Sequence, residues 1–278
     1  MILRAPAKLN LCLYLGPRRP DGLHEIRSIF VPLILADGIL VEEAEEDEVV
    51  CDGVAGPNLA ADALAALRRR GWAHPPVRIE IEKRIPVAAG LGGGSADAAA
   101  VLRLARGEID GLEEIAAELG ADVPSQLDSG LMLVGGAGEE LTPLRGSPEV
   151  GVVVIPGVEG LATGDVYAEA DRLGLGRSDS ELAELSAHLR AEAATGVSPL
   201  RYADLLRNDL EPATLSLRPD VGDALDALRL AGAEVAMVAG SGPTAVGLFG
   251  DVVAADRAAA SLPPAYAEAF VTSTGGSA

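Results

Sequence analysis

Four glycines fall within five consecutive positions, at Gly90, Gly92, Gly93 and Gly94, after an alternating apolar stretch near 78–82 and before an alanine-rich run over 95–106. So much backbone freedom is expensive to order, and a glycine cluster at the mouth of a helix needs a reason. A strand that ends, a loop bare of Cβ atoms and a helix that begins at Ser95 together offer unpaired amides and a positive dipole end to a single anion. Phosphate suits such a cradle, and a flexible connector is the alternative. The segment Pro86-Val87-Ala88-Ala89-Gly90-Leu91-Gly92-Gly93-Gly94-Ser95-Ala96 has neither the Gly-Lys-Ser/Thr ending of a Walker A loop nor the Gly-x-Gly-x-x-Gly spacing of a parallel βαβ unit. Ser95 stands where it would cap the helix or ligate magnesium.

With 42 acidic against 22 basic residues the chain carries a net charge of -20, which repels nucleic acid and anionic membrane at long range. A phosphate ligand therefore needs cations placed locally. The only lysines are Lys8 and Lys83, and Lys83 directly precedes the glycine loop. No run of eighteen apolar residues occurs, and the first residues lack a signal-peptide layout, so the expected location is cytoplasmic. Cys12 and Cys51 lie in apolar stretches without Cys-x-x-Cys spacing and read as buried free thiols, not as a zinc site or a disulfide.

A chain of 278 residues can hold one large or two modest domains; two sharing a cleft are expected, divided at 1–148 and 149–278. Apolar stretches near 2–4, 9–15, 29–35 and 78–82 read as strands of an antiparallel sheet, and 60–70, 95–106 and 112–119 as helices, the last ending at Gly120. From about residue 150 the order is strand 150–156, helices 180–194 and 220–230, strands 234–239 and 244–250, helix 252–262 and strand 265–272. A strand, helices, a hairpin, a helix and a strand predict a ferredoxin-like α/β sandwich, so the expected fold class is α+β, an N-terminal mixed sheet with helices followed by this sandwich, with a cleft between them. Segments 135–138 and 146–148 read as loops and 273–278 as a frayed tail.

In Pro6-Ala7-Lys8-Leu9-Asn10-Leu11-Cys12-Leu13, strict alternation puts Lys8, Asn10 and Cys12 on one face and the leucines on the other. Asp122, in Gly120-Ala121-Asp122-Val123-Pro124, is either the N-cap of a helix starting at Val123 or a base that takes the proton of a substrate hydroxyl with Lys8 as its partner. In phosphoryl transfer such a base mainly positions its alcohol. His24, in Asp21-Gly22-Leu23-His24, either meets a polar ligand edge or is a turn histidine; His74 and His188 read as surface residues. Gly240-Ser241-Gly242, between two strands, brings amides to phosphate or simply closes a hairpin.

Taken in order, the lysine-bearing first strand, the central glycine loop and the late Gly-Ser-Gly turn resemble the GHMP kinase superfamily. With Asp21-Gly22-Leu23-His24, Leu119-Gly120-Ala121-Asp122-Val123-Pro124 and Asn208-Asp209-Leu210-Glu211, the sequence is most similar to the branch acting on a cytidine diphosphate-linked methylerythritol. The resemblance implies a two-domain kinase with ATP bound by Lys83 and 86–96, magnesium partly on Ser95, Asp122 as base and Lys8 as its partner. It further implies that Asn10, His24, Tyr167, Gly240, Ser241 and Gly242 meet the small-molecule substrate, with His24 reading the cytosine edge and Tyr167 stacking on its face. No nucleic acid or membrane partner is expected, and the expected state is a monomer or weak homodimer. Leu23 stands where the family usually has tyrosine, and Ala239 where it tends to carry a hydroxyl. Weaker cytidine binding with unaltered catalysis is the expected result. Other readings are a homoserine or mevalonate-type kinase of the same superfamily, and a nucleotide- or RNA-binding module without catalysis.

Overall fold

The computed structural model describes residues 1–54, 56–146, 149–158 and 160–275. Its first sheet is organised by one long hairpin, β1 (Ile2–Arg18) and β2 (His24–Glu43), paired antiparallel from Ile2↔Leu40 to Arg18↔His24. The two short apolar stretches expected at 2–4 and 9–15 are one strand. Between them a bulge at Pro6 to Lys8 absorbs the proline, which has no amide to give to the ladder. A second bulge between Asn10 and Cys12 shifts the alternation by one residue. Cys12 turns into the core with Leu9 and Leu11, and Leu13 joins Lys8 and Asn10 at a cavity, which corrects the expected faces.

Because β2 is twenty residues long, its C-terminal part pairs with β4 (Val77–Glu82) and its N-terminal part with β5 (Met132–Gly135). β3 (Glu48–Val50) adds to β4 in parallel and β6 (Glu140–Pro143) adds to β5 antiparallel, so the sheet is mixed, as expected. One face is covered by α1 (Leu59–Arg69), α2 (Gly93–Arg103) and α3 (Leu112–Leu119), whose Ala, Leu and Ile positions bury against Ile39, Val41, Ile79 and Ile81. The five-residue α4 (Val123–Leu127) closes that layer.

The second sheet runs β10-β7-β9-β8, from β7 (Gly151–Ile155), β8 (Val235–Val238), β9 (Ala245–Phe249) and β10 (Phe270–Ser273), all antiparallel. This is the ferredoxin-like order expected from the element pattern. Along β7 the valines alternate. Val153 and Ile155 meet α8 (Asp220–Leu230) and α9 (Val252–Ser261), while Val152 and Val154 share a core with Leu9, Leu11 and Leu33 of the first sheet. That core also receives α6 (Asp179–Ala194) and a 3-10 helix, Pro199–Leu205. One continuous apolar interior thus joins both sheets.

Two helices had no counterpart in the sequence reading: α5 (Thr163–Leu173), closed by Gly174 at φ +69°, and α7 (Glu211–Leu217). The expected strand over 265–272 begins only at Phe270, after a 3-10 turn at Pro264–Tyr266. The tail expected to fray from 273 is ordered at first. Ser273 belongs to β10 and Thr274 bridges Leu33, while 276–278 lie outside the described residues, as do Ser147 and Pro148 of the expected loop. Cys12 is buried as expected, whereas Cys51 is half-buried.

Candidate active site

The glycine loop is shorter than expected because α2 starts at Gly93, not Ser95. Gly92 is its N-cap in the left-handed region and Ser95 lies within the first turn, so Ser95 does not cap the helix. The amides of Gly93, Gly94 and Ser95 have no carbonyl one turn behind them and are left for a ligand. Glycine is required twice by close approach as well as by φ. A Cβ on Gly90 (φ +71°) would lie 2.4 Å from the Ala239 carbonyl, and one on Gly92 (φ +70°) would lie 3.0 Å from Lys8 Cγ. The loop is thereby packed against both the first strand and the late turn.

A cavity of ≈ 340 Å³ runs along the loop, lined by Lys83, by Pro86 through Ser95, and by Cys51, Asn58 and Asp97. Ala96 is buried beneath and does not line it. Lys83 donates to Asp97 at 2.8 Å and to Asp37. Burial opposes the charge on Lys83, but its bonds to the two carboxylates outweigh this and hold its pKa above the ordinary value. Burial first, and then the second carboxylate against a single ammonium, pushes the Asp97 carboxyl up. Asp97 Oδ1 is buried there without a partner.

Across the loop, Lys8 is only 6% exposed and its ammonium is surrounded by designated partners. Nζ lies 2.6 Å from Asn10 Oδ1, 3.2 Å from Asp122 Oδ2 and 4.3 Å from the Phe30 ring centre. Asp122 occupies the N-cap position of α4, yet its side chain makes no capping bond and goes to Lys8 instead. A buried ammonium left without a counter-charge costs far more than an uncapped five-residue helix. Asn10 in turn donates to Ser28 Oγ at 3.0 Å, which fixes its amide orientation.

Lys8, Asn10 and Asp122 line a second cavity, ≈ 320 Å³, with Gly240, Ser241, Thr163 and Tyr167. The late turn is a hairpin, Val238 pairing Ala245, and also a cavity wall. Ser241 Oγ lies 3.0 Å from Thr163 Oγ1, while Gly242 sits behind the turn against Thr214 and Val238 and does not line the cavity. Asn208 holds the turn by donating to the carbonyls of Val238 and Gly240 at 2.8 and 2.6 Å. Its neighbour Asp209 accepts from the Leu15 amide and from both arms of Arg177. The Asn208-Asp209-Leu210-Glu211 segment is thus a buckle between the first strand and the late turn.

A third cavity, ≈ 520 Å³, is lined by Arg18, Leu23, His24, Tyr167 and Asp171. His24 and Tyr167 face each other with ring centres 5.2 Å apart, and burial, then the charge of Asp122, pushes the Tyr167 phenol up to about 12. Leu23 is 54% exposed at this rim. Thr163, Arg18, Asp97 and Asp171 were not singled out in the sequence. Asp171 stands one helical turn after Tyr167, a signal readable only once α5 is recognised. Among the described residues no cluster of three metal-ligating side chains occurs, and no helix is long and apolar enough to cross a membrane.

The family model for the N-terminal domain of GHMP kinases matches residues 58–134, and that for the C-terminal domain matches 182–268. The chain belongs to the GHMP kinase family. It is accordingly a small-molecule kinase, a phosphotransferase with ATP as donor. A 4-diphosphocytidyl-2-C-methyl-D-erythritol kinase of Streptomyces avermitilis is 40% identical, the match covering 94% of this chain and 91% of that one. The same-named protein of Mesorhizobium japonicum is 37% identical, with 97% and 94% covered. A crystal structure of 4-(cytidine 5'-diphospho)-2C-methyl-D-erythritol kinase superposes with a TM-score of 0.82 at 34% identity, covering 99% of this chain and all of that one. Homoserine kinase from Cytophaga hutchinsonii, at 17% identity and a TM-score of 0.71 over 99% of this GHMP kinase and 94% of its own chain, shares the fold.

Proposed function

We propose that this GHMP kinase transfers the γ-phosphoryl group of ATP to the 2-hydroxyl of 4-diphosphocytidyl-2-C-methyl-D-erythritol, a step of non-mevalonate isoprenoid precursor synthesis. The observation that carries the reading is the continuity of the three cavities. The loop cavity shares Gly90, Gly92 and Ser95 with the Lys8–Asp122 cavity, which shares Ala121, Ala137, Thr163 and Tyr167 with the His24 cavity. Donor phosphates, acceptor hydroxyl and a nucleobase fit that sequence of compartments, and the names of the similar kinases supply the same substrate.

In this mechanism the amides of Gly93, Gly94 and Ser95 receive the phosphate oxygens. Asp122 accepts the hydroxyl proton as the bond from oxygen to the γ-phosphorus forms and the bond to the β-phosphate oxygen breaks. Asn10 fixes the Lys8 ammonium, which in turn orients Asp122 and neutralises charge beside the transferring group. The residues present fit magnesium: Ser95 faces both cavities and Asp97 Oδ1 is buried without a partner, so these two would hold the ion beside the phosphates. When bound, it would neutralise charge on the phosphate oxygens. His24 and Tyr167 take the cytosine of this small-molecule substrate.

The test is ADP release with the cytidyl substrate beside mevalonate and homoserine. Turnover confined to the cytidyl substrate is expected; ADP from another alcohol and none from this one overturns the substrate while leaving the kinase.

A further inference from the structure

Resting on the reading that the His24 cavity takes cytosine, we propose that Asp171 is a positioning residue that selects cytosine over uracil by fixing which nitrogen of His24 carries hydrogen. The His24 side chain is 6% exposed, and its Nε2 lies 2.8 Å from Asp171 Oδ1. A carboxylate only accepts, so the hydrogen of this bond belongs to Nε2. In the neutral ring Nδ1 is then a lone-pair acceptor, and among the described residues no hydrogen bond to it is found. The ring cannot turn to exchange its nitrogens without leaving Asp171 and Tyr167, which hold it from successive turns of α5.

The two pyrimidines differ at the edge such a nitrogen reads. Cytosine presents an exocyclic amino group, a donor, where uracil presents a carbonyl, an acceptor. An Nδ1 lone pair accepts from the amino group and opposes the carbonyl. An acceptor left facing an acceptor in a buried site loses its bond and gains nothing from water, which is why sites built to pair a polar group reject the analogue that lacks it. Asp171 touches no base in this scheme. It acts through His24, and its 44% exposed side chain can be replaced without opening the core.

The experiment compares the wild type with Asp171→Ala, Asp171→Asn and Asp171→Lys, using the cytidyl substrate and its uridine analogue. Asp171→Ala is expected to lower the cytidine-to-uridine ratio of kcat/KM by about tenfold or more, the scale of one well-placed base contact, chiefly through KM. Asp171→Asn keeps an acceptor oxygen and restores selectivity, whereas the donor-only Asp171→Lys lowers it at least as far as Asp171→Ala. Thermal midpoints stay near wild type in all three. Nitrogen-resolved histidine NMR of the free wild type is expected to show hydrogen on Nε2 and a bare Nδ1. A wild type that releases no ADP with the cytidyl substrate overturns the underlying reading. A wild type that does, with selectivity unchanged in Asp171→Ala or with hydrogen on Nδ1, overturns this inference alone.

Discussion

Lys8 Nζ and Asp122 Oδ2 stand 3.2 Å apart, one from the first strand and the other from the turn between two helices. Lys8 is nearly enclosed while Asp122 keeps 36% of its side chain exposed to the cavity. The carboxylate therefore remains open to a hydroxyl while its lysine is fixed. Asp122→Asn keeps the shape and loses the base. It is expected to reduce kcat by about 10²- to 10⁴-fold with ATP affinity nearly unchanged. Single-turnover kinetics and nucleotide titration measure the two separately, and near-normal turnover would remove Asp122 from the role of base.

Gly92 and Gly107 allow backbone strain to be separated from crowding at the site. Both have positive φ, +70° and +84°, but a Cβ on Gly107 meets nothing within 4 Å, while one on Gly92 meets Lys8 at 3.0 and 3.2 Å. Alanine in the left-handed region costs about 1–2 kcal/mol at either position. Gly92→Ala and Gly107→Ala are therefore expected to lower the thermal midpoint by similar amounts, and only Gly92→Ala to reduce kcat by tenfold or more. Equal loss of activity in both variants would mean that strain alone accounts for it.

The same contact explains what the sequence could and could not show. The glycine cluster, the alternating strand and the strand–helix–hairpin–helix–strand order are local patterns, so the glycine loop at the mouth of α2 and the ferredoxin-like half were legible from residue types. The pairing of Lys8 with Asp122 stood in the sequence only as one of two readings, because no local pattern encodes a contact between β1 and the α3–α4 turn. The start of α2 was misplaced for a physical reason: Gly93 and Gly94 are poor helix formers, and tertiary packing of Gly93 against Ile85 and Lys83 and of Gly94 against Leu59 holds them in the first turn. α5 was missed because only Val166 and Ala170 of its eleven residues are buried, too sparse a stripe to mark a helix in sequence. With α5 went Asp171 and Thr163.

Cys51 gives a chemical footprint of the nucleotide cavity. Burial pushes the Cys12 thiol up to about 12, and Cys12 has no exposed surface. Cys51 is raised by burial, with Lys83 acting against this and Asp97 and Asp37 acting with it, but it lines the loop cavity. Thiolate reacts and thiol does not, so iodoacetamide labelling should accelerate as the pH is raised above neutral. Intact-mass time courses are expected to show one labelled cysteine in the folded protein, Cys51, and two after denaturation. Saturating ATP should slow the Cys51 reaction several-fold. Labelling that ignores ATP would put the nucleotide elsewhere.

Leu23 offers a gain-of-function test of the base cavity. It lines that cavity together with His24 and Tyr167, is more than half exposed, and supplies an aliphatic side chain where the resemblance expects a ring. Stacking a nucleobase on an aromatic side chain contributes roughly 1–3 kcal/mol, which corresponds to about 5- to 150-fold in a binding constant. Leu23→Tyr at an exposed rim leaves the core and the Lys8–Asp122 pair untouched, so the gain should fall on KM and not on kcat. Cytidine monophosphate, which cannot accept phosphate at Asp122 in the manner of the substrate alcohol, isolates the same contact as an inhibitor. Its inhibition constant should fall in parallel with KM for the cytidyl substrate. A variant whose KM falls while the inhibition constant stays fixed would locate the gain outside the base cavity, and one in which neither moves would mean that the cytosine does not lie against Leu23.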